Sequence, residues 1–142
     1  MEKILVSACL LGENCKYNGG NNLDPKVVAL VRDREVIPVC PEVLAGFGIP
    51  RIPIEICNGR VIRKDGVDVD DAIREAVDCI LVQLKDQQIQ CAVLKARSPT
   101  CGVRQVYDGT FTGTLVCGSG VLAQALRDAG YYVIDNEQLE EM

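Results

Sequence analysis

Short apolar runs recur along the chain and alternate with longer stretches in which apolar residues repeat at helical spacing. The runs are typical of buried strands and cover residues 3–8, 36–39, 90–95 and 131–134. Helices are predicted after Asp24-Pro25, over residues 69–84, and from a Ser119 cap to Ala129, where Gly130 ends the helix. This alternation predicts an α/β fold, a single-domain three-layer sandwich with a mainly parallel, Rossmann-like sheet.

The stretch from Gly46 to Gly66 interrupts this alternation because it is rich in glycine and proline. Residues 51–56 and 60–63 form two short apolar pieces on either side of Asn58-Gly59, a pair that favours tight hairpin turns. We therefore expect a small antiparallel hairpin that acts as a flap beside the main sheet. No internal repeat or low-complexity stretch marks a boundary, so one domain is predicted over residues 1–142.

Composition limits the class of protein. Hydrophobic residues make up 48% of the 142 residues and charged residues 25%, as in an ordinary globular protein. The apolar runs are far shorter than the roughly 20 residues that cross a bilayer, and the first residues lack the pattern of an export signal. A cytoplasmic protein without a membrane partner is therefore expected. The net charge of −5 opposes nucleic-acid binding and favours a small-molecule ligand. The sequence leaves the oligomeric state open.

The chain contains eight cysteines and no histidine. In a reducing compartment this many cysteines indicate metal ligation or thiol chemistry more than disulfides. The absence of histidine excludes a Ser-His-Asp triad, a Cys-His dyad and every zinc site that uses imidazole. Chemistry must therefore come from cysteines, carboxylates, hydroxyls, basic side chains, the backbone or a cofactor.

Three cysteines, Cys9, Cys40 and Cys101, each follow a predicted strand. Since the carboxyl ends of parallel strands meet at one edge of a sheet, these side chains are expected to converge there. Thiolates are soft ligands that suit an iron–sulfur cluster or zinc. Cys15 shares the first loop and remains open as a fourth ligand, a sulfur relay or a structural thiol. The remaining cysteines are interpreted as small apolar residues inside strands and helices: Cys57, Cys79, Cys91 and Cys117.

Two oxygen-bearing side chains accompany these cysteines. Glu42 lies two residues after Cys40 in a predicted loop and can act as an acid or base there, or it can cap the next turn or pair with Arg51. Ser98 can donate a hydrogen bond in the site or simply begin the turn that Pro99 enforces.

The sequence Gly118-Ser119-Gly120 opens a predicted helix after a short apolar run, and Asp135 follows the next predicted strand. This arrangement matches the dinucleotide-binding fingerprint. Too little chain remains after Asp135 for the further strand and helix units of a dinucleotide fold. We therefore disfavour NAD binding, although the helix N-terminus can still hold an anion.

Three sets of motifs occur in order along the chain. They are SACLLG at 7–12 with CKYNG at 15–19, CPEV at 40–43 with PRIP at 50–53, and SPTCG at 98–102 with YDGTF at 107–111. Together they resemble the domain of unknown function 523 family, which contains thiouracil desulfurase. The resemblance covers nearly the whole chain. Lys16, Asn18 and Thr100 stand where this family more often has Arg, Asp and Ser.

The resemblance implies a 4Fe-4S cluster that Cys9, Cys40 and Cys101 hold, with its fourth iron free to take the sulfur of a small thiolated substrate. By the same likeness Glu42 and Ser98 are the acidic and hydroxyl residues beside the cluster. The implied reaction is the redox-neutral removal of sulfur from a thiouracil-like thiocarbonyl compound. Two alternatives remain: a cysteine-ligated metal or cluster protein without turnover, and a cluster-free protein that passes persulfide between Cys15 and Cys9.

Overall fold

The computed structural model describes residues 2–140. Its strands are β1 Lys3–Ser7, β2 Glu35–Val39, β3 Ile54–Cys57, β4 Arg60–Arg63, β5 Ile89–Leu94, β6 Gln105–Tyr107, β7 Leu115–Cys117 and β8 Val133–Asp135. Its helices are α1 Pro25–Val31, α2 Pro41–Leu44, α3 Asp70–Leu84, α4 Val121–Asp128 and α5 Asn136–Glu140, with a 3₁₀ turn at Ala8–Leu11. Within the described part of the chain, none of the helices combines the length and apolar character that a membrane crossing requires.

The main sheet has the strand order β2-β1-β5-β8, and every neighbouring pair is parallel. The register pairs Ser7 with Val39 and Leu94 with Asp135, so the four strands end at the same edge. Right-handed crossovers over helices are the usual way to connect such strands. The predicted α/β architecture with a mainly parallel sheet is confirmed.

Helices cover both faces of this sheet. Successive side chains of a strand point to opposite faces, and the apolar residues of β1 therefore pack against helices on either side. Ile4 and Val6 pack in one buried cluster with Val27 and Val31 of α1. Leu5, between them, belongs to a second cluster. That larger core also contains the apolar faces of α3 and α4, with Ile73, Val77, Ile80, Leu122 and Leu126 among its members.

Two small hairpins flank the sheet. Strands β3 and β4 pair antiparallel across Asn58 and Gly59, whose φ angles of 52° and 79° are those of a tight hairpin turn. The buried carboxylate of Asp70 accepts a hydrogen bond from the Val61 amide at 2.9 Å and thereby ties this hairpin to α3. The second hairpin pairs β6 with β7. The predicted flap is therefore present, and a second hairpin stands beside it.

The structure corrects several local predictions. Pro41–Leu44 forms the short helix α2, so Glu42 lies on a helical turn and not in a loop. Gly120 occupies the N-cap of α4, since the Ser119 hydroxyl donates to the Val103 carbonyl instead of capping. The short helix α5 follows β8 and was not predicted. Isolated helices of four or five residues carry too little periodicity to be read from sequence.

Candidate active site

A cavity of about 570 Å³ opens at the carboxyl edge of the sheet. Cys9, Cys40 and Cys101 all line it, together with Glu42 and Ser98. The structure thus places every predicted site residue around one cavity, although the three cysteines come from loops far apart in sequence.

Each cysteine loop is fixed by backbone hydrogen bonds. Cys9 lies in the 3₁₀ turn after β1, and its carbonyl accepts the amides of Gly12 at 3.3 Å and Asn22 at 3.0 Å. Cys40 is the N-cap of α2, and its carbonyl accepts the Leu44 amide at 3.0 Å. The thiols are therefore held by rigid turns at the ends of neighbouring strands.

The loop that carries Cys101 rests on the N-terminus of α4. The Leu122 amide donates to the Thr100 carbonyl at 2.8 Å, and the Val121 amide donates to the Pro99 carbonyl at 3.2 Å. Gly120 permits this contact, because a Cβ there would lie 2.5 Å from the Thr100 carbonyl carbon. The glycine-rich motif therefore serves to seat the Cys101 loop, and the helix amides that a phosphate would need are occupied by that loop.

We expect Gly120→Ala to disturb the Cys101 loop, because the added methyl group must displace backbone atoms and not a flexible side chain. The variant should lose about 1–3 kcal/mol of stability, the usual cost of overpacking, and thermal unfolding measures this loss. Gly118→Ala is the matched control, because a Cβ at Gly118 meets only the Val106 side chain, at 3.3 Å. Equal behaviour of the two variants would contradict this role of Gly120.

A chain of hydrogen bonds joins Ser98 to Glu42. The Thr100 hydroxyl donates to Glu42 Oε2 at 3.3 Å, and Ser98 Oγ lies 3.2 Å from Thr100 Oγ1. Ser98 Oγ also accepts the amides of Thr100 at 3.2 Å and Cys101 at 3.1 Å. Ser98 therefore shapes the turn and also lies in the site. Thr100 is the connecting residue that sequence reasoning missed, although it immediately precedes Cys101.

The carboxylate of Glu42 lies beside the cysteines. Its Oε2 atom is 3.8 Å from Cys40 Sγ. Arg51, the alternative partner considered from sequence, donates instead to the carbonyls of Cys15 at 2.9 Å and Gly48 at 3.2 Å. Glu42 is thus positioned by Thr100 and Cys40.

Burial dominates the electrostatics of the thiols. Desolvation raises the pKa of Cys9 and Cys40, and it raises the pKa of Cys101 to about 12, with the Glu42 charge adding to the effect on Cys40 and Cys101. Burial also lowers the pKa of Lys95, whose charge in turn favours the thiolate of Cys9. Burial therefore disfavours the free thiolates of these residues, and coordination to a metal would favour them, because a coordinating thiol gives up its proton.

Cys15 belongs to the same group of side chains. It is buried and lines the cavity, and its carbonyl lies 3.9 Å from Cys40 Sγ. Burial, with smaller contributions from the nearby Cys40 and Cys9, raises the pKa of Cys15 to about 12. Cys57, Cys79, Cys91 and Cys117 lie away from the cavity lining. Cys79 and Cys117 are exposed, which corrects their interpretation as buried apolar residues.

The donor set suits an iron–sulfur cluster, because cysteine thiolates are soft ligands. Within residues 2–140, no group of three or more Cys, Asp or Glu side chains is arranged to hold one metal ion. The three cysteines line a space that several loops share. An iron–sulfur cluster takes thiolates from positions spread around its core, which is compatible with this arrangement.

Basic and aromatic side chains complete the cavity wall, and apart from Arg51, considered as a partner of Glu42, sequence reasoning assigned them no role. The basic residues are Lys16, Arg51, Lys64, Lys95 and Arg97, and the aromatic residues are Tyr17, Tyr107 and Phe111. Several of them lie inside the motifs that resemble the family, and this position was the sequence signal that could have marked them as site residues. This acidic protein thus presents a locally basic cavity, which favours negative charge in bound groups.

Comparison with known proteins shows the family of this chain. Residues 4–138 match the model of the 2-thiouracil desulfurase family. The uncharacterized protein YbbK of Bacillus subtilis (strain 168) is 37% identical over an alignment of 149 positions, which covers 98% of this chain and 99% of YbbK. The solved structure of the 4Fe-4S-dependent thiouracil desulfidase TudS, a DUF523 protein, matches with a TM-score of 0.91 and 35% identity over 99% of this chain and 95% of TudS. The resemblance found in the motifs is confirmed, and the chain belongs to the 2-thiouracil desulfurase family.

Proposed function

We propose that this protein is an enzyme that removes sulfur from a thiouracil-like thiocarbonyl compound, and that it uses a 4Fe-4S cluster held by Cys9, Cys40 and Cys101. The observation that carries the proposal is the meeting of these three thiols with the Glu42 carboxylate in one cavity. Membership of the desulfurase family and the likeness to the 4Fe-4S-dependent enzyme TudS support it.

The three ligands come from three separate loops, so the cluster would join the 3₁₀ turn after β1, the start of α2 and the loop after β5. When bound, a cluster with three cysteine ligands keeps one iron open, which supplies a Lewis acid for the substrate's sulfur. Cys15 would remain a thiol beside Cys40 and Cys9.

Glu42 is the proposed acid and base. Its carboxylate would take a proton from the water that attacks the thiocarbonyl carbon and return a proton to the departing sulfur. The hydroxyl of Thr100 fixes this carboxylate, and Ser98 in turn contacts Thr100. Ser98 would orient the substrate or the leaving sulfur from the same chain of hydrogen bonds.

The reaction balances without an external oxidant or reductant. A thiocarbonyl and one water yield a carbonyl and hydrogen sulfide, so the C=S bond breaks and a C=O bond forms. Hydrosulfide is an anion, and the basic side chains around the cavity, Lys95 and Arg51 among them, would stabilise the negative charge that develops. This is a role for cations in a protein whose overall charge is −5.

Anaerobic purification followed by iron and acid-labile sulfide analysis tests the proposal. We expect about four irons per chain, with a matching amount of labile sulfide. The same preparation should convert 2-thiouracil to uracil and release one sulfide for each uracil formed. Stoichiometric zinc without labile sulfide, or sulfur transfer by iron-free protein, would instead support one of the two alternatives.

A further inference from the structure

Phe111 has an unusual backbone for a bulky aromatic residue. Its φ angle is 58°, in the left-handed region that residues other than glycine, asparagine and aspartate rarely adopt. It lies in the loop between β6 and β7 and lines the cavity. Strained residues of this kind persist where the surrounding structure holds them, and they cluster at ligand-binding sites.

A buried carboxylate holds Phe111 in this conformation. Glu55 on β3 is 9% exposed, and its Oε1 atom accepts the amides of Gly109 at 3.0 Å and Phe111 at 3.2 Å. Gly109 must approach β3 closely, because a Cβ there would lie 2.7 Å from the Ile56 carbonyl oxygen. The Asp108 carboxylate bonds the Thr110 amide at 3.0 Å and stiffens the same loop. Two hairpins are thus joined through one side chain.

We propose that Phe111 is the stacking surface for the heterocyclic ring of the substrate, and that Glu55 is the positioning residue that presents it. The proposal rests on the proposed function, since the ring is that of a thiouracil-like compound. A flat aromatic side chain carried on a fixed backbone at a cavity wall can bind planar bases by stacking, independently of the sulfur that reacts.

The other aromatic residues of the cavity are less suited to this role. Tyr17 is 43% exposed, and the ammonium of Lys16 lies 6.0 Å from its ring centroid. Tyr107 belongs to β6, where its backbone pairs with Leu115. Neither shows the combination of a left-handed backbone and a buried carboxylate that fixes Phe111.

Binding of uracil, which has the ring but no reactive sulfur, tests the proposal on the anaerobic holoprotein by titration calorimetry. We expect Phe111→Ala to weaken uracil binding roughly ten- to a hundredfold, the scale of base–aromatic stacking. The KM for 2-thiouracil should rise similarly while kcat changes less than about threefold. Phe111→Tyr should keep the parent's affinity for uracil and its KM for 2-thiouracil. Glu55→Leu should raise this KM, as Phe111→Ala does.

Phe111→Gly separates stacking from loop structure. Glycine favours a positive φ, so this variant should be at least as heat-stable as the parent and still lose uracil binding. Thiourea, a thiocarbonyl without a ring, should change the cluster absorption equally in the parent and in Phe111→Ala. Tyr132→Ala removes a ring that is 66% exposed and outside the cavity, and it should match the parent.

Two results would overturn the stacking role. One is unaltered uracil binding by Phe111→Ala and Phe111→Gly, and the other is an equal loss of uracil and thiourea binding. Failure of the proposed function would be visible separately, because the parent protein would then release no sulfide from 2-thiouracil whether or not it binds uracil.

Discussion

Single replacement of Cys9, Cys40 or Cys101 by serine should leave the protein without a cluster and without desulfurase activity. A hydroxyl is a harder and poorer ligand for iron than a thiolate, and loss of one of three ligands leaves the cluster open to dissociation. Iron and acid-labile sulfide per chain, with the visible absorption of the anaerobic protein, measure the outcome. Cys9 and Cys40 are half-buried at the cavity, whereas Cys101 is 4% exposed and belongs to the larger apolar core, so thermal unfolding accompanies the iron analysis of each variant.

The exposed cysteines provide the matched controls. Cys79→Ser and Cys117→Ser make the same chemical change at positions outside the cavity, and both should keep the parent's iron content. If either variant lost its cluster, or if Cys40→Ser retained a full one, the ligand assignment would be wrong.

Cys15→Ser decides between three and four ligands. Cys15 is buried beside Cys40 and Cys9, so position alone makes it a candidate ligand. We expect the variant to keep about four irons per chain, because the proposed reaction requires one open iron. Complete loss of iron would assign Cys15 as the fourth ligand and remove the open position on which the proposed function depends.

Glu42→Gln should lower the desulfuration rate by about a hundredfold or more, the usual scale for a general acid–base residue. The amide keeps the size of the side chain and an oxygen that can accept from Thr100, but it can neither take nor release a proton. Single-turnover release of sulfide from 2-thiouracil by the reconstituted protein measures the rate. Iron content should equal that of the parent.

Binding separates this effect from a change in the cavity. The Glu42→Gln variant should still change its cluster absorption when 2-thiouracil is added, since that step does not require the carboxyl proton. Glu75→Gln is the matched control, because Glu75 is exposed on α3 and lies away from the cavity. Unaltered turnover of Glu42→Gln would assign Glu42 to loop structure and leave the proton to another group.

The sequence predicted the fold well where the signal was long and periodic. The apolar face of α3 repeats over Asp70–Leu84, and the continuous apolar runs of β1 and β5 are typical of strands buried on both faces. The short helices α2 and α5 carry no such repeat and were missed. That one domain spans residues 1–142, and that the protein is cytoplasmic, stay predictions.

The candidate site divides in the same way. The sequence by itself determined which residues could take part, because a cysteine after each of three parallel strands must lie at one edge of the sheet. It also determined the family, through motifs such as SPTCG at 98–102. Which of these residues touch one another was a different question.

Only the tertiary structure decided the contacts between distant residues. Thr100 meets the Glu42 carboxylate across 58 positions of sequence, and the Phe111 amide meets Glu55 across 56 positions. It also decided that Gly120 seats the Cys101 loop and leaves no anion site at the start of α4. Local patterns specify strands and helices because those depend on neighbouring residues, whereas these contacts arise only when separate loops pack around one cavity.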